Sequence, residues 1–208
     1  MPRTRLWCAA ASGFVLAATV LVVGCMTPGY SQWADTVSRL GSRGQPDALA
    51  ARAGIVASAV LLLAAAAPLG AGAPGRERLV AGLLRTYGIG GVVAGLAPKD
   101  PPAAADTLAS AVHVAATIVG GVGVVGAIVV VAAVAPTQRH RRASAATAAM
   151  ASLGVVAFRL SWGSPVYGLV ERFLLGLAAL WVVAQARSVA SSRPPPRRDQ
   201  RGDRPRRP

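Results

Sequence analysis

Acidic residues are scarce in this sequence: Asp and Glu together number 8 among 208 residues, and all charged residues make up 14%. Soluble globular domains carry about 25% charged residues. Aromatic residues reach only 5%, whereas apolar residues reach 53% and the mean hydropathy is +0.49. This composition excludes an ordinary water-soluble domain and is typical of an integral membrane protein.

Cysteine and histidine are also rare, with two of each. Cys8 and Cys25 lie near opposite ends of the first apolar segment, about 25 Å apart at helical rise, so they cannot form a disulfide with each other. No CxxC spacing indicates a zinc site. His113 and His140 are predicted on opposite sides of the membrane, so we expect no metal and no cofactor.

Six stretches are apolar and long enough, at about 20 residues, to span a bilayer as helices. They are residues 6–25, 49–70, 79–97, 108–135, 143–162 and 165–186. The fourth is rich in valine and glycine but has no turn cluster, which favours one helix over buried strands. Its "GGVGVVG" run at 120–126 favours close helix packing over a nucleotide loop. The sequence therefore predicts an all-α polytopic membrane protein, a bundle of six transmembrane helices in one domain over residues 1–187.

Basic residues give the chain a formal net charge of +14. They lie in a tail and short loops rather than on an amphipathic face with aromatics, so we expect no nucleic-acid partner. Fifteen of them lie at the amino terminus, in the second-to-third and fourth-to-fifth connections and in the tail, against three (Arg39, Arg43 and Lys99) in the other loops. By the positive-inside rule, both termini should be cytoplasmic in a cell (plasma) membrane protein.

The segment at 188–208 is rich in proline and arginine, so we expect a disordered cytoplasmic tail that fixes topology or binds anionic lipids. "LVVGC", ending at Cys25, resembles a lipoprotein cleavage site. The apolar run before it is longer than a signal-peptide core, and five spans follow, which favours a retained first helix.

Ionisable residues within the spans cluster at one depth. His113, Arg159, Glu171 and Arg172 all fall in a shallow layer below the outer surface, and Ser38 and Asp100 lie in the outer loops. Such groups usually face the protein interior, pair with each other or line a cavity. We expect Glu171 to pair with Arg159 or His113, and Arg172 with Asp35, Asp100 or an anionic ligand.

This layer supports three functional hypotheses. The first is an outward-facing polar pocket that binds a lipid-like or anionic ligand, with membrane lipids as partners. Its predicted ligand-binding residues are Ser38, Asp100, His113, Arg159, Glu171 and Arg172. The second is an intramembrane enzyme on a lipid or isoprenoid, with Glu171, His113 and Asp100 as catalytic candidates. The third is a structural or assembly subunit in which the charges only hold the helices together. The sequence leaves the oligomeric state open.

Four short motifs occur in order along the chain: "DTVSRLG" at 35–41, "GGVVAGLAPKD" at 90–100, His113, and "GLVER" at 168–172. Together they resemble the bacterial and archaeal membrane family called domain of unknown function 998. The resemblance implies six spans and a site but no particular reaction. Carried over residue by residue, it marks Ser38, Gly41, Pro98, Asp100, His113, Glu171 and Arg172. The sequence departs from the pattern at Arg39, where an acidic or small polar residue is expected.

Overall fold

The computed structural model describes residues 2–66, 75–101, 104–135 and 137–191, and helices are the only regular elements in these ranges. They are α1 (Pro2–Met26), α2 (Val37–Leu40), α3 (Ala48–Ala66), α4 (Gly75–Leu96), α5 (Leu108–Val134), α6 (Gln138–Leu160) and α7 (Tyr167–Ser191). All except α2 are long and apolar enough to cross a membrane. The all-α prediction with six spans is confirmed.

The start of α6 differs most from the hydropathy pattern. The fifth span begins at Gln138 rather than at residue 143, because the Thr137 hydroxyl accepts a hydrogen bond from His140 N (3.2 Å) and caps the helix there. Arg139 and its basic neighbours therefore form the first turns of α6 instead of a loop. Hydropathy marks only the apolar part of a helix, whereas backbone hydrogen bonding continues into its charged ends.

The predicted tail and the end of the second span fall partly outside the described chain. Helix α7 continues to Ser191, so residues 188–191 extend it, and residues 192–208 lie outside the described ranges. Helix α3 ends at Ala66, and the predicted continuation to residue 70 lies outside them as well.

The six long helices form a ring in which each packs against two neighbours, in the order α1, α3, α4, α5, α6, α7 and back to α1. The main core cluster includes Ala9, Leu62, Leu84, Ile128 and Trp181. Because consecutive spans are antiparallel, the starts of α3, α5 and α7 share one end of the ring with α2. We call this the α2 end and the other the opposite end.

Helices α4 and α5 approach closely through glycines. A Cβ atom added at Gly90 would lie 2.6 Å from Ala116 O and 2.9 Å from Gly120 Cα. One added at Gly123 would lie 2.7 Å from Leu83 O. These backbone atoms cannot move aside as a flexible side chain can, so the predicted packing role holds for Gly123, and Gly120 Cα borders the close approach of Gly90.

Replacing Gly90 with alanine should destabilise the protein by about 1–3 kcal/mol, because the new methyl group overlaps backbone on α5. Gly82 in the same helix has nothing within 4 Å of its would-be Cβ, so Gly82→Ala is the matched control. Alanine is the better helix former, and the control should keep or raise stability. Thermal unfolding in detergent measures both; equal melting shifts would contradict the close approach.

Candidate functional site

The long loop between α1 and α3, residues 27–47, folds down onto the α2 end of the ring. Within it, Leu40 of α2 is 1% exposed and packs with Val23 and Ala51. Leu169 N donates to Trp33 O (2.8 Å), which joins the loop backbone to the first turn of α7. Any side chain at Gly168 would collide with Asp35 O, so the loop lies directly against that helix.

Arg172 holds this loop in place. Its Nε donates to Gln32 Oε1 (3.1 Å), and its Nη1 donates to the carbonyl oxygens of Asp35 and Gly168 (2.8 Å each). Its Nη2 donates to the Tyr30 hydroxyl, and the guanidinium lies over the Tyr30 ring, 5.6 Å from the centroid. All three guanidinium nitrogens are therefore engaged. The partners are two backbone carbonyls and two loop side chains, not the carboxylates of Asp35 or Asp100 expected from the sequence.

Tyr30 also holds the loop, and we call the contacts of Arg172 and Tyr30 with the loop the loop clamp. The Tyr30 hydroxyl accepts from Arg172 and donates to Thr36 O (3.1 Å). Burial raises the pKa of Tyr30 to about 12, although the nearby Arg172 charge opposes the rise. The phenol therefore stays protonated at physiological pH and keeps its hydrogen bond to the Thr36 carbonyl.

Glu171 contacts a different part of the loop. Its Oε2 accepts from Val37 N (2.5 Å), the first residue of α2. The Thr36 hydroxyl does not cap α2 and instead pairs with Ser38 Oγ (3.0 Å), so Glu171 satisfies an amide that the helix leaves open. This amide takes the place of the partners expected from the sequence, Arg159 and His113. Among described residues, the other oxygen of Glu171, Oε1, makes no hydrogen bond.

Asp100 organises the turn between α4 and α5. Its Oδ2 accepts from Thr107 N (2.7 Å), and its Oδ1 lies 3.5 Å from Arg43 Nε. The hydrogen bonds from Thr107, together with the Arg43 charge, lower the pKa of Asp100 below its ordinary value. Arg43 N also donates to Lys99 O (2.9 Å), so the α1–α3 loop is joined to this turn as well. Both carboxylate oxygens of Asp100 are engaged.

His113 and Arg52 both close the end of α4. His113 is 8% exposed, and its Nδ1 lies 2.8 Å from Ala94 O and 3.0 Å from Ala97 O. Both partners are acceptors, so Nδ1 carries the proton and Nε2 is the acceptor nitrogen in the neutral ring. Arg52 donates from Nε to Gly95 O (2.8 Å), at the end of α4 where a cation is favourable. Sequence reasoning missed Arg52, although it lies four residues into α3 just as Glu171 lies four residues into α7.

Ser38 and Arg159 differ most in their surroundings. Ser38 belongs to α2 and is hydrogen-bonded to Thr36. Arg159 is exposed in the last turn of α6 and makes no hydrogen bond or salt bridge with a described residue. The next helix brings Tyr167 close, since its ring stacks on Phe158 with centroids 4.4 Å apart. The charges of Arg159 and Glu171 both act on the Tyr167 hydroxyl.

Arg39, where the sequence departs from the family pattern, makes contacts within its own loop. It forms a salt bridge with Asp35, four residues earlier, whose other oxygen accepts from Ser31 N (2.7 Å). Its side chain is 40% exposed, and such pairs contribute little to stability, so Arg39 orders the loop only weakly.

The polar groups at the α2 end thus divide into two sets. Arg172, Asp100 and Ser38 are occupied by contacts within the protein. The second set makes no hydrogen bond to a described residue and includes Glu171 Oε1, His113 Nε2, Lys99 Nζ, the Tyr167 hydroxyl, the Arg159 guanidinium and the buried Ser164 Oγ. The charge of Lys99 acts on the Glu171 carboxylate. Groups of the second set can contact another molecule without breaking the loop clamp.

Six spanning helices in a ring, closed at one end by a clamped polar loop, define an integral membrane protein. The chain belongs to the family described as Protein of unknown function (DUF998), whose model matches residues 9–188. The resemblance given by the four motifs is confirmed, and the match reaches from the first span into the last turns of α7. No curated protein and no solved structure matches the chain significantly.

Arg172→Lys should loosen the loop, because a single ammonium group cannot reach Gln32, Tyr30 and the Asp35 carbonyl together. Hydrogen bonds to charged groups contribute about 1.5–3 kcal/mol, so trypsin should cut after Arg39 and Arg43 at least about tenfold faster. Peptide mapping of limited digests in detergent measures this rate. Arg159→Lys is the control and should leave it unchanged. Equal rates in both variants would show that Arg172 does not hold the loop.

Proposed function

We propose that this protein binds a lipid-like ligand at the α2 end, with the Glu171 carboxylate at the centre of the site. The observation that carries the proposal is the difference between the two oxygens of Glu171. Oε2 is fixed by Val37 N, whereas Oε1 makes no hydrogen bond with a described residue. Ionisable groups within spans are costly and generally have a functional or pairing role. A headgroup hydroxyl or amine supplies the donor that Oε1 lacks.

Two cationic side chains take no part in the loop clamp, and their charges favour a ligand whose headgroup also has an anionic group. The charge of Lys99, in the α4–α5 turn, acts on Glu171. The charges of Arg159, at the end of α6, and of Glu171 both act on Tyr167. Tyrosine suits the boundary between hydrocarbon and headgroups. The preferred ligand therefore has an anionic group, a hydrogen-bond donor and an apolar chain.

The clamp makes this site rigid before the ligand arrives. Arg172 orders the loop, the loop orders α2, and the first amide of α2 orients Glu171. A site whose side chains are already fixed loses less conformational entropy on binding. Arg172 is a positioning residue here and not a ligand contact, because its nitrogens are all engaged.

Binding has more support than acid–base catalysis. Of the three catalytic candidates, Asp100 has both oxygens engaged. Glu171 Oε1 and His113 Nε2 remain as proton acceptors, but no hydrogen bond connects these two residues. A general acid–base pair has to share a substrate at hydrogen-bonding distance.

We further propose that the protein lies in the plasma membrane with the α2 end outside and both termini in the cytoplasm. The support is the distribution of basic residues, fifteen on the side of the termini against three in the alternate loops. Such an asymmetry sets orientation in multi-span proteins.

The two free cysteines allow this orientation to be tested. Cys25 is exposed in the last turn of α1 at the α2 end, and Cys8 lies on the first turns of the same helix near the opposite end. In a Cys8→Ser variant, a membrane-impermeant maleimide added to intact cells should label Cys25. In a Cys25→Ser variant, Cys8 should be labelled only after the membrane is permeabilised. The reverse pattern would place the termini outside, and an unreactive Cys25 would favour its lipid modification.

Glu171→Gln tests the ligand site because the amide oxygen still accepts from Val37 N while the charge is lost. We expect lipid retained by the purified variant, measured by mass spectrometry of extracts, to fall about tenfold, as for loss of one charged hydrogen bond. Arg159→Gln should act in the same direction. The control is Arg142→Gln, an exposed arginine of α6 at the opposite end.

The same preparations separate binding from a purely structural role. Under our proposal, Glu171→Gln melts within a few degrees of the wild type when both are stripped of lipid. Unchanged lipid retention with a much lower melting temperature would mean that Glu171 serves only the fold, and the proposal would fail.

A further inference from the structure

A groove of about 300 Å³ opens between α6 and α7 at the opposite end of the ring, far from Glu171. Toward the α2 end the same two helices are tightly packed, since a Cβ at Gly154 would lie 3.2 Å from Leu174 Cγ. Farther along, one face of each helix lines the groove. This site is independent of the function proposed for the α2 end.

Two buried hydrogen-bond donors in the groove lining have no partner in the described part of the chain. Ser144 is 1% exposed and Trp181 is 5% exposed, and neither Ser144 Oγ nor Trp181 Nε1 makes a hydrogen bond with a described residue. The next hydroxyl along α6 behaves differently, because Thr147 Oγ1 donates to Ala143 O (2.9 Å). Indole can only donate, so its partner has to be an acceptor. Buried polar groups are nearly always paired, and two adjacent exceptions point to a ligand with acceptor oxygens.

The walls of the groove change in character along its length. Leu177 and Leu180 line the part deeper in the span, while His140 and Gln185, joined at 3.2 Å, line its mouth. Ser144 lies six residues from the start of α6, about 9 Å along the helix. The groove thus offers apolar walls, then hydrogen-bond donors, then a polar mouth.

Positive charge flanks this mouth. Arg139 and Arg141 are exposed and adjoin His140 on the first turns of α6, about 100° to either side of it around the helix. Basic residues at a membrane surface attract anionic headgroups. The order of chain, ester oxygens and phosphate in a phospholipid matches the order of apolar walls, donors and cations.

We propose that this groove is a binding site for one anionic phospholipid. Its ester oxygens accept hydrogen bonds from Trp181 Nε1 and Ser144 Oγ, its phosphate lies beside Arg139 and Arg141, and an acyl chain follows Leu177 and Leu180. Neither the sequence motifs nor the polar layer at the α2 end involves these residues.

Fluorescence quenching of Trp181 tests the proposal directly. The other three tryptophans, Trp7, Trp33 and Trp162, are 72%, 63% and 66% exposed, so they can be replaced by phenylalanine to leave Trp181 alone. Phospholipids brominated near the glycerol end of the chain are then added to the full-length protein in detergent. Brominated phosphatidylglycerol should quench Trp181 at about fivefold lower mole fraction than brominated phosphatidylcholine.

Ser144→Ala in this single-tryptophan protein should raise the half-quenching fraction of phosphatidylglycerol about fivefold, as for one neutral hydrogen bond. Thr147→Val is the matched control, since its hydroxyl is already occupied within α6, and it should cause no change. Equal quenching by both lipids, or no effect of Ser144→Ala, would overturn the proposal. Absence of quenching by either lipid, with a dimer on size-exclusion chromatography, would assign the groove to a second copy and also overturn it.

Discussion

The folded structure of the α2 end depends on the hydrogen bonds that the Arg172 guanidinium donates. A charged group near the membrane surface needs acceptors, and the carbonyl groups of a loop that crosses the bundle need donors. The planar fork of arginine satisfies both needs, since its three nitrogens reach Gln32, Tyr30 and the Asp35 carbonyl in different directions. The charge of Arg172 is unusual within a spanning helix, and its role is to hold a folded loop in place.

The position of the Glu171 carboxylate depends on the contacts of Arg172, although the two side chains do not face each other. Neighbouring residues on a helix project about 100° apart, so adjacent charges in α7 reach different partners. Arg172 donates to the loop before α2, and Glu171 accepts from the first amide of α2 itself. Loop order and orientation of the carboxylate are therefore coupled, and loss of the clamp removes the fixed position of Glu171 as well.

The six spans were predictable because hydropathy and length are properties of the chain itself, and the family was predictable from four short motifs. Helix α2 was not, because its four residues are held by tertiary contacts rather than by a periodic signal. The partners were also not predictable, since most of them are backbone groups, which every residue has. The position of Arg52, four residues into its helix, was an unused signal.

Polar contacts between neighbouring helices recur around the ring. They are Ser12 with Ser58 between α1 and α3, Arg52 with Gly95 between α3 and α4, His113 with Ala94 between α4 and α5, and His140 with Gln185 between α6 and α7. In lipid, apolar surfaces gain little by leaving one hydrocarbon for another, so small residues and such hydrogen bonds decide which helices associate. The α4–α5 pair combines glycine contacts with His113. Between α6 and α7, beside the His140–Gln185 contact, Ser144 and Trp181 instead keep donors that no described residue satisfies. The same physical need for acceptors that fixes the loop at the α2 end thus underlies the lipid site that we propose at the opposite end.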